Sequence, residues 1–141
     1  MRKGMVTLLA LGVVVLLTAT ACSKSSSSDE STKQITLAGG DKANDHGTKD
    51  VSGKSSVDEE ADDFYFESTI LKGTAGQKVT LKIDNEGKAT HNFSISGQSI
   101  DQDISAGQDA EVTVTFPQSG TLEFFCKFHK SQGMAGELQV A

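Results

Sequence analysis

The sequence has few basic residues, no extended helical pattern and no apolar run of membrane-spanning length. Thirteen Lys and Arg residues stand against nineteen Asp and Glu, which gives a net charge of −6 at pH 7. An acidic chain is poorly suited to the phosphates of nucleic acid, so we exclude that class of partner. The longest apolar run, Val6 to Leu17, is shorter than the roughly 20 residues that cross a bilayer as a helix.

The N-terminus has the composition of an export signal. A basic head, Met1-Arg2-Lys3, precedes the apolar run, and the small residues Ala19-Thr20-Ala21 precede Cys22. The pattern resembles that of bacterial lipoproteins, in which cleavage leaves the cysteine as a lipidated N-terminus; an ordinary secretory signal is the alternative. The resemblance implies that residues 1–21 are removed and that acyl chains on Cys22 anchor the protein to a membrane, at the cell surface or in the periplasm.

Cleavage would leave very few soft metal ligands. Loss of Arg2 and Lys3 would take the net charge from −6 to −8, and the only remaining sulfur-containing residues besides Cys22 would be Cys126 and Met134. In an oxidising compartment thiols usually pair, yet with Cys22 lipidated Cys126 has no partner in the chain. Metal ligation would explain such an unpaired thiol.

Residues 22–61 are rich in Ser, Gly, Asp and Lys, and we expect them to form a flexible tether between anchor and domain. Residues 34–37 are the exception, because Ile35 and Leu37 alternate with polar residues as in a short strand. His46 lies within the polar stretch; a solvated linker histidine is favoured over a metal ligand. The acidic residues between 58 and 63 are predicted to form a solvated boundary.

Residues 62–141 show the periodicity of strands. Apolar and polar residues alternate in several short runs that are separated by Gly-, Asn- and Pro-containing turns. The apolar members of these runs are Phe64, Phe66, Val79, Leu81, Ile83, Phe93, Ile95, Val112, Val114 and Phe116. Further strands are predicted at 121–126 and 136–140. The pattern predicts an all-β domain, a two-sheet sandwich of antiparallel strands with Greek-key connections.

Most of the candidate metal ligands of the domain lie near its C-terminus. Cys126, His129 and Met134 lie within nine residues, and His91 lies upstream. A thiolate, two imidazoles and a thioether favour copper over harder cations, and a trigonal site with a weak axial Met is an electron-transfer geometry. Taken singly, each residue has an ordinary alternative: a buried small hydrophobe for Cys126, a satisfied or solvated histidine, and a core-filling Met134.

The motifs His91-Asn92-Phe93 and Cys126-Lys127-Phe128-His129-Lys130-Ser131-Gln132-Gly133-Met134 resemble those of the plastocyanin- and azurin-like cupredoxins. The resemblance is closest to plastocyanin and covers roughly residues 62–141. It implies one copper ion, Cu(I) or Cu(II), held by His91, Cys126, His129 and Met134. It also implies that Asn92 hydrogen-bonds to the segment that carries Cys126, that His91 is sheltered, and that His129 faces the surface, where electrons would pass.

The function favoured by this pattern is single-electron transfer by a monomer that meets a redox protein partner outside the cytoplasm. Lys127 and Lys130 flank His129, and we expect them to form a basic rim that docks an acidic partner; two solvated lysines are the alternative. Copper delivery or storage is the competing function. A copper enzyme would need further metal ions, so no enzymatic activity is predicted. A metal-free adhesive sandwich is a third possibility.

Overall fold

The structure is a computed structural model in which residues 33–141 are described. The described chain forms twelve strands, which we number in order: β1 Gln34–Thr36, β2 Lys42–Asn44, β3 Thr48–Asp50, β4 Ser56–Asp62, β5 Tyr65–Phe66, β6 Ile70–Gly73, β7 Lys78–Asn85, β8 His91–Ile95, β9 Ile100–Ile104, β10 Asp109–Thr115, β11 Thr121–Phe125 and β12 Ala135–Val140. Two single-turn 3-10 helices, Ser96–Gln98 and Lys130–Gln132, complete the elements. No helix among residues 33–141 is both long enough and apolar enough to span a membrane.

Two main sheets form the domain. One has four strands in the order β10-β7-β4-β5, and the other has six in the order β3-β6-β12-β11-β8-β9. Strands β1 and β2 form a separate antiparallel pair. The predicted all-β two-sheet sandwich is therefore confirmed. Most of the strand pairs are antiparallel as expected, but β4 runs parallel to β7, and β6 runs parallel to both β3 and β12.

Alternation along the strands builds the core between the sheets. In β7 the side chains of Val79, Leu81 and Ile83 are fully buried, whereas Lys78, Lys82 and Asp84 are exposed. The other sheet contributes aromatic rings, and the ring centroids of Phe93 and Phe124 lie 5.1 Å apart. Offset and edge contacts of this kind add to the stabilisation that burial of apolar area provides.

The prediction of a flexible tether is wrong for residues 33–61. Strand β4 pairs along its length with β7, and Val57 and Ala61 are buried in the core. Glu59 is buried on the same face, where its carboxylate contacts the Lys49 ammonium at 3.3 Å and accepts a hydrogen bond from the backbone N–H of Ser68. Because the buried face of β4 includes a carboxylate, the sequence of β4 does not show the regular apolar alternation from which a strand is predicted.

The short strand expected near Ile35 and Leu37 is present as β1, and Leu37 is buried against Ala43 and Ala135. The folded unit therefore begins well before the predicted boundary at residue 62. The signal segment, residues 1–21, the lipidation residue Cys22 and tether residues 23–32 lie outside the described residues, so those predictions stand as they were made.

Candidate metal centre

The predicted ligands lie at one end of the six-stranded sheet. His91 is the first residue of β8, and Cys126 directly follows β11. These strands are hydrogen-bonded neighbours, with Phe125 opposite Ser94, so the pairing brings the two ligands together. His129 lies in the loop that follows, and Met134 directly precedes β12.

The loop from Cys126 to Met134 is closed by its own backbone. The N–H of Cys126 donates to the carbonyl of Met134 at 3.0 Å, and the N–H of His129 donates back to the carbonyl of Cys126 at 3.1 Å. Gly133 has a φ of +91°, a left-handed conformation that glycine adopts without strain. The turn thus returns the chain to β12 and keeps His129 beside Cys126.

Three potential metal-donor atoms, one each from His91, Cys126 and His129, lie close together at this end of the sheet. His91 Nδ1 and His129 Nδ1 lie 3.2 Å apart, and Cys126 Sγ lies 3.4 Å from the same atom of His129. All three donors lie within 4.8 Å of one another. Donors that share one ion at bond lengths of about 2.0 to 2.3 Å must approach each other this closely. Within residues 33–141, this is the only group of His, Cys, Asp and Glu side chains with such an arrangement.

Met134 is fully buried, and its N–H donates to the carbonyl of His129 at 3.2 Å. Its backbone is therefore fixed beside the other three residues. Ligation by its sulfur stays a prediction.

Burial and charge favour neutral imidazole at His91. The side chain is fully buried, and this burial lowers the pKa of His91; the neighbouring His129 lowers it further, against the opposing effect of Asp63. A group with a pKa below its ordinary value is mostly unprotonated at pH 7. A neutral imidazole has one unprotonated ring nitrogen, so His91 can offer the lone pair of Nδ1 when its proton is on Nε2.

Asp63 contacts the far side of the same imidazole. Its Oδ1 lies 3.0 Å from His91 Nε2, a close approach that is not an aligned hydrogen bond. The carboxylate accepts hydrogen bonds from the backbone N–H groups of Lys88 and Ala89, and the first of these is the main reason that the pKa of Asp63 is lowered. Asp63 is exposed, in agreement with the predicted solvated boundary, but its contact with His91 was not predicted from the sequence.

The two imidazoles differ in exposure, as the resemblance implied. His91 is fully buried, whereas His129 is partly exposed, and the ring of Phe64 packs on it with centroids 4.5 Å apart. Phe128, beside it, is 48% exposed. His129 thus combines a donor atom in the cluster with an edge near solvent, framed by aromatic rings.

Asn92 makes the contact expected of it. Its Oδ1 accepts a hydrogen bond from the backbone N–H of Lys127, the residue after Cys126, at 3.3 Å. Its side-chain amide also contacts three residues that sequence analysis did not single out, Ser94, Asp101 and Asp103.

The lysines beside His129 do not form a region of positive charge. Lys127 Nζ lies 2.7 Å from Asp101 and 2.8 Å from Asp103. Lys130 Nζ lies 2.9 Å from Asp41 and 2.6 Å from Glu123. Four carboxylates thus surround two ammonium groups, which gives no support to the predicted basic rim; docking through the lysines stays untested.

His46 lies apart from the three donors. It is exposed, and its ring stacks on Tyr65 with centroids 3.5 Å apart and an interplanar angle of 6°. This agrees with the interpretation of His46 as a solvent-facing residue, although it belongs to the folded domain and not to a tether.

Asn44 is a further residue that sequence analysis missed. Its side-chain amide donates to the carbonyl of Gln132 at 3.0 Å and to that of Phe64 at 2.9 Å. Its backbone N–H donates to the carbonyl of Gly133 at 2.9 Å. Asn44 thus fixes the ligand loop from a distant part of the chain, a contact for which the sequence contains no local signal.

Comparisons with known proteins agree with this geometry. A family model described as a cupredoxin-like domain matches residues 9–140. Auracyanin from the photosynthetic bacterium Roseiflexus castenholzii is similar in structure, with a TM-score of 0.53 and 18% identity over 62% of this chain and 98% of that one. Auracyanin A from Chloroflexus aurantiacus, described as a blue copper protein, has a TM-score of 0.50 and 20% identity over 61% and 98%.

A third similar structure is the metal-binding domain of the Cu(I)-exporting P-type ATPase CopA from Streptococcus pneumoniae D39, with a TM-score of 0.52 and 12% identity over 66% of this chain and 96% of that one. At sequence identities this low, the structural similarity establishes the shared fold and nothing more. The search of the curated proteins gives no match. The matched family and the donor set together identify His91, Cys126 and His129 as one copper-binding site.

Proposed function

The chain belongs to the family of cupredoxin-like domains, and from this premise we propose that it is a type 1 copper protein that carries single electrons. The observation that supports the proposal best is the convergence of one thiol and two imidazole nitrogens in a largely buried cluster. Bound there, copper would supply the one-electron couple between Cu(I) and Cu(II).

The protein's own residues account for the features that a carrier needs. Cys126 would ligate as the thiolate, and its position between β11 and the closed loop fixes the sulfur beside His129. His91 and His129 would supply two imidazole ligands, and Met134 would supply a thioether as a further ligand. Because strand pairing and loop hydrogen bonds hold these residues in place, little rearrangement would be needed when the electron moves.

Electrons would enter and leave through the edge of His129. Of the two imidazoles only this one is partly exposed, and Phe64 and Phe128 beside it provide apolar contact area for a redox protein partner. We extend the proposal to location: the signal-like N-terminus supports export, and lipidation of Cys22 would keep the domain at the outer face of a membrane.

Copper delivery or storage is the alternative that we weigh against electron transfer. A delivery site releases its ion readily, whereas here the backbone and side-chain contacts of Asn44, Asn92 and Asp63 surround the ligand residues. An enzymatic role would need further metal ions, and residues 33–141 offer one such donor group.

Cu(II) titration with visible absorption and electron paramagnetic resonance spectra tests the proposal. The wild-type protein is expected to show one equivalent of binding, an intense visible band from the thiolate bond and reversible one-electron reduction. Cys126→Ser should abolish the band, whereas His46→Ala, which changes an exposed histidine outside the cluster, should retain it. A colourless Cu(II) complex of the wild type would contradict the proposal and favour delivery or storage.

A further inference from the structure

We propose that Asp101 and Asp103, on the edge strand β9, are positioning residues of the copper site that orient the amide of Asn92 and so hold the peptide that follows Cys126. The inference rests on the proposed copper site. It assigns a role to two exposed carboxylates that touch no ligand directly.

The register of the sheet brings the carboxylates to Asn92. In the antiparallel pair β8–β9, Asn92 lies opposite Asp103 and Ser94 lies opposite Asp101. Residues two apart on a strand share a face, so all four side chains lie on the same side of the sheet. Asn92 Nδ2 donates to Asp101 Oδ1 and to Asp103 Oδ1, each at 2.7 Å.

This arrangement permits only one orientation of the amide. Ionised carboxylates only accept hydrogen bonds, so the NH₂ group of Asn92 must face them. Its Oδ1 is then directed to the other side, where it accepts from the hydroxyl of Ser94 at 2.5 Å and from the backbone N–H of Lys127 at 3.3 Å. If the amide were reversed, the Lys127 N–H would face an NH₂ group and lose its acceptor, and the amide oxygen would face two carboxylates that cannot donate to it.

Lys127 is held at both of its ends by this network. Its backbone N–H binds Asn92, and its ammonium group lies 2.7 Å from Asp101 and 2.8 Å from Asp103. The contacts form a closed ring that runs from Asn92 through the carboxylates to Lys127 and back. Hydrogen bonds from Lys127, and then from Asn92, hold the pKa values of both carboxyl groups below their ordinary range.

The ring matters for copper because Lys127 is bonded directly to Cys126. Exposed ion pairs contribute little to stability by themselves, and the side chains of Asp101 and Asp103 are 62% and 54% exposed. Their effect is therefore expected on the orientation of a buried amide and not on overall stability. Partners that orient metal ligands typically change metal affinity by about 10- to 100-fold when they are removed.

The double variant Asp101→Asn with Asp103→Asn tests the inference. An amide can donate as well as accept, so it no longer imposes one orientation on Asn92. We expect Cu(II) affinity to fall, by no more than the roughly 10- to 100-fold that follows loss of a group bonded directly to a ligand, with a changed hyperfine splitting and a shifted visible band. The matched control is Asp84→Asn with Asp109→Asn, which removes two exposed charges from directly paired strands of the other sheet.

Amide hydrogen exchange of the metal-free protein gives a readout that does not depend on copper. In the double variant the Lys127 N–H is expected to exchange about tenfold faster, since its acceptor is no longer fixed. The Glu137 N–H, which donates to the Thr69 carbonyl, should be unchanged. If the double variant fails to fold, the two single variants are measured in the same way, each with the same direction of change expected.

Two results would overturn the inference: unchanged exchange of the Lys127 N–H, or equal changes in copper affinity in the double variant and its charge-matched control. A wild-type protein that binds no copper would contradict the proposed function instead.

Lys127→Met distinguishes the two contacts of Lys127, because it removes the ammonium group that contacts the carboxylates but keeps the backbone N–H that contacts Asn92. A smaller effect than that of the Asp double variant supports orientation of Asn92 as the principal role.

Discussion

Two regions of the chain meet at the copper site and contribute in different ways. The ligand loop, residues 126–134, carries Cys126, His129 and Met134, and most of its backbone–backbone hydrogen bonds are internal. The support segment, which we define as residues 42–64, contains none of the predicted ligands, yet it contacts the ligand loop and both imidazoles. Asn44 binds the loop backbone, Asp63 approaches His91, and Phe64 packs on His129.

The difference shows how ligation and rigidity are divided between the regions. Donors that are close in sequence can reach one ion in many loop conformations, and ordering such a loop costs conformational entropy. Contacts from the support segment restrict the loop in the folded chain, so folding itself meets part of the entropic cost of ordering it. The ligand loop therefore determines which ion can bind, and the support segment determines how precisely the donors are placed.

Removal of residues 42–61, most of the support segment, together with β1 should have the largest effect. A chain that begins at Asp62 lacks β1 to β3 and nearly all of β4, and so it exposes the edge of β7 and leaves Leu81 and Ile83 partly uncovered. We expect it to show no cooperative thermal transition by circular dichroism. A chain that begins at Lys33 is the control and should unfold cooperatively. A cooperative transition in the shorter chain would show that residues 62–141 fold independently.

The buried carboxyl group of the support segment should make stability depend on pH. Burial raises the pKa of Glu59 from 4.5 to about 7. The folded state therefore holds the proton more tightly than the unfolded chain does. This stabilising contribution is complete below about pH 4.5 and is lost as the pH rises through about 7.

Glu59→Gln removes this dependence. Between pH 5 and 8, the wild type should lose about 2 to 3 kcal/mol of unfolding free energy relative to the variant, as measured by denaturant titration. Glu60→Gln, an exposed neighbour on β4, should follow the wild type. Parallel pH profiles for wild type and Glu59→Gln would mean that Glu59 is not the titrating group.

Loss of the Asn44 side chain should loosen the ligand loop. Asn44→Ala leaves the carbonyls of Gln132 and Phe64 without their donor, and such a loss costs about 1 to 3 kcal/mol. Urea denaturation measures this loss, and Cu(II) affinity should fall with it. Gln34→Ala removes only the partly exposed bond from Gln34 to Asn44, so it serves as the control. If the two variants lost equal unfolding free energy, the hydrogen bonds from Asn44 to the loop would not be the source of the loss.

The contrast between ligand loop and support segment also explains which parts of the fold and of the copper site could be predicted from the sequence. The spacing of Cys126, His129 and Met134 is a local signal, and the strand pattern of residues 62–141 predicted the all-β class and a strand at 121–126. The support contacts join residues far apart, such as Asn44 with Gln132, and no local pattern marks them. Strand β4 was missed because one of its buried positions is Glu59, whose charge is offset by Lys49.

The smallest effect on stability is expected inside the ligand loop, at Met134. Exchange of Met for Leu nearly conserves volume and usually costs less than about 1.5 kcal/mol, so Met134→Leu should fold and retain the visible band. Its reduction potential should rise, because loss of a thioether ligand would disfavour Cu(II). Met134→Gln supplies a harder oxygen donor and should lower the potential. Voltammetry measures both. If both variants kept the wild-type potential, Met134 would be a core residue and not a ligand, and the ligand loop would contribute two donors in place of three.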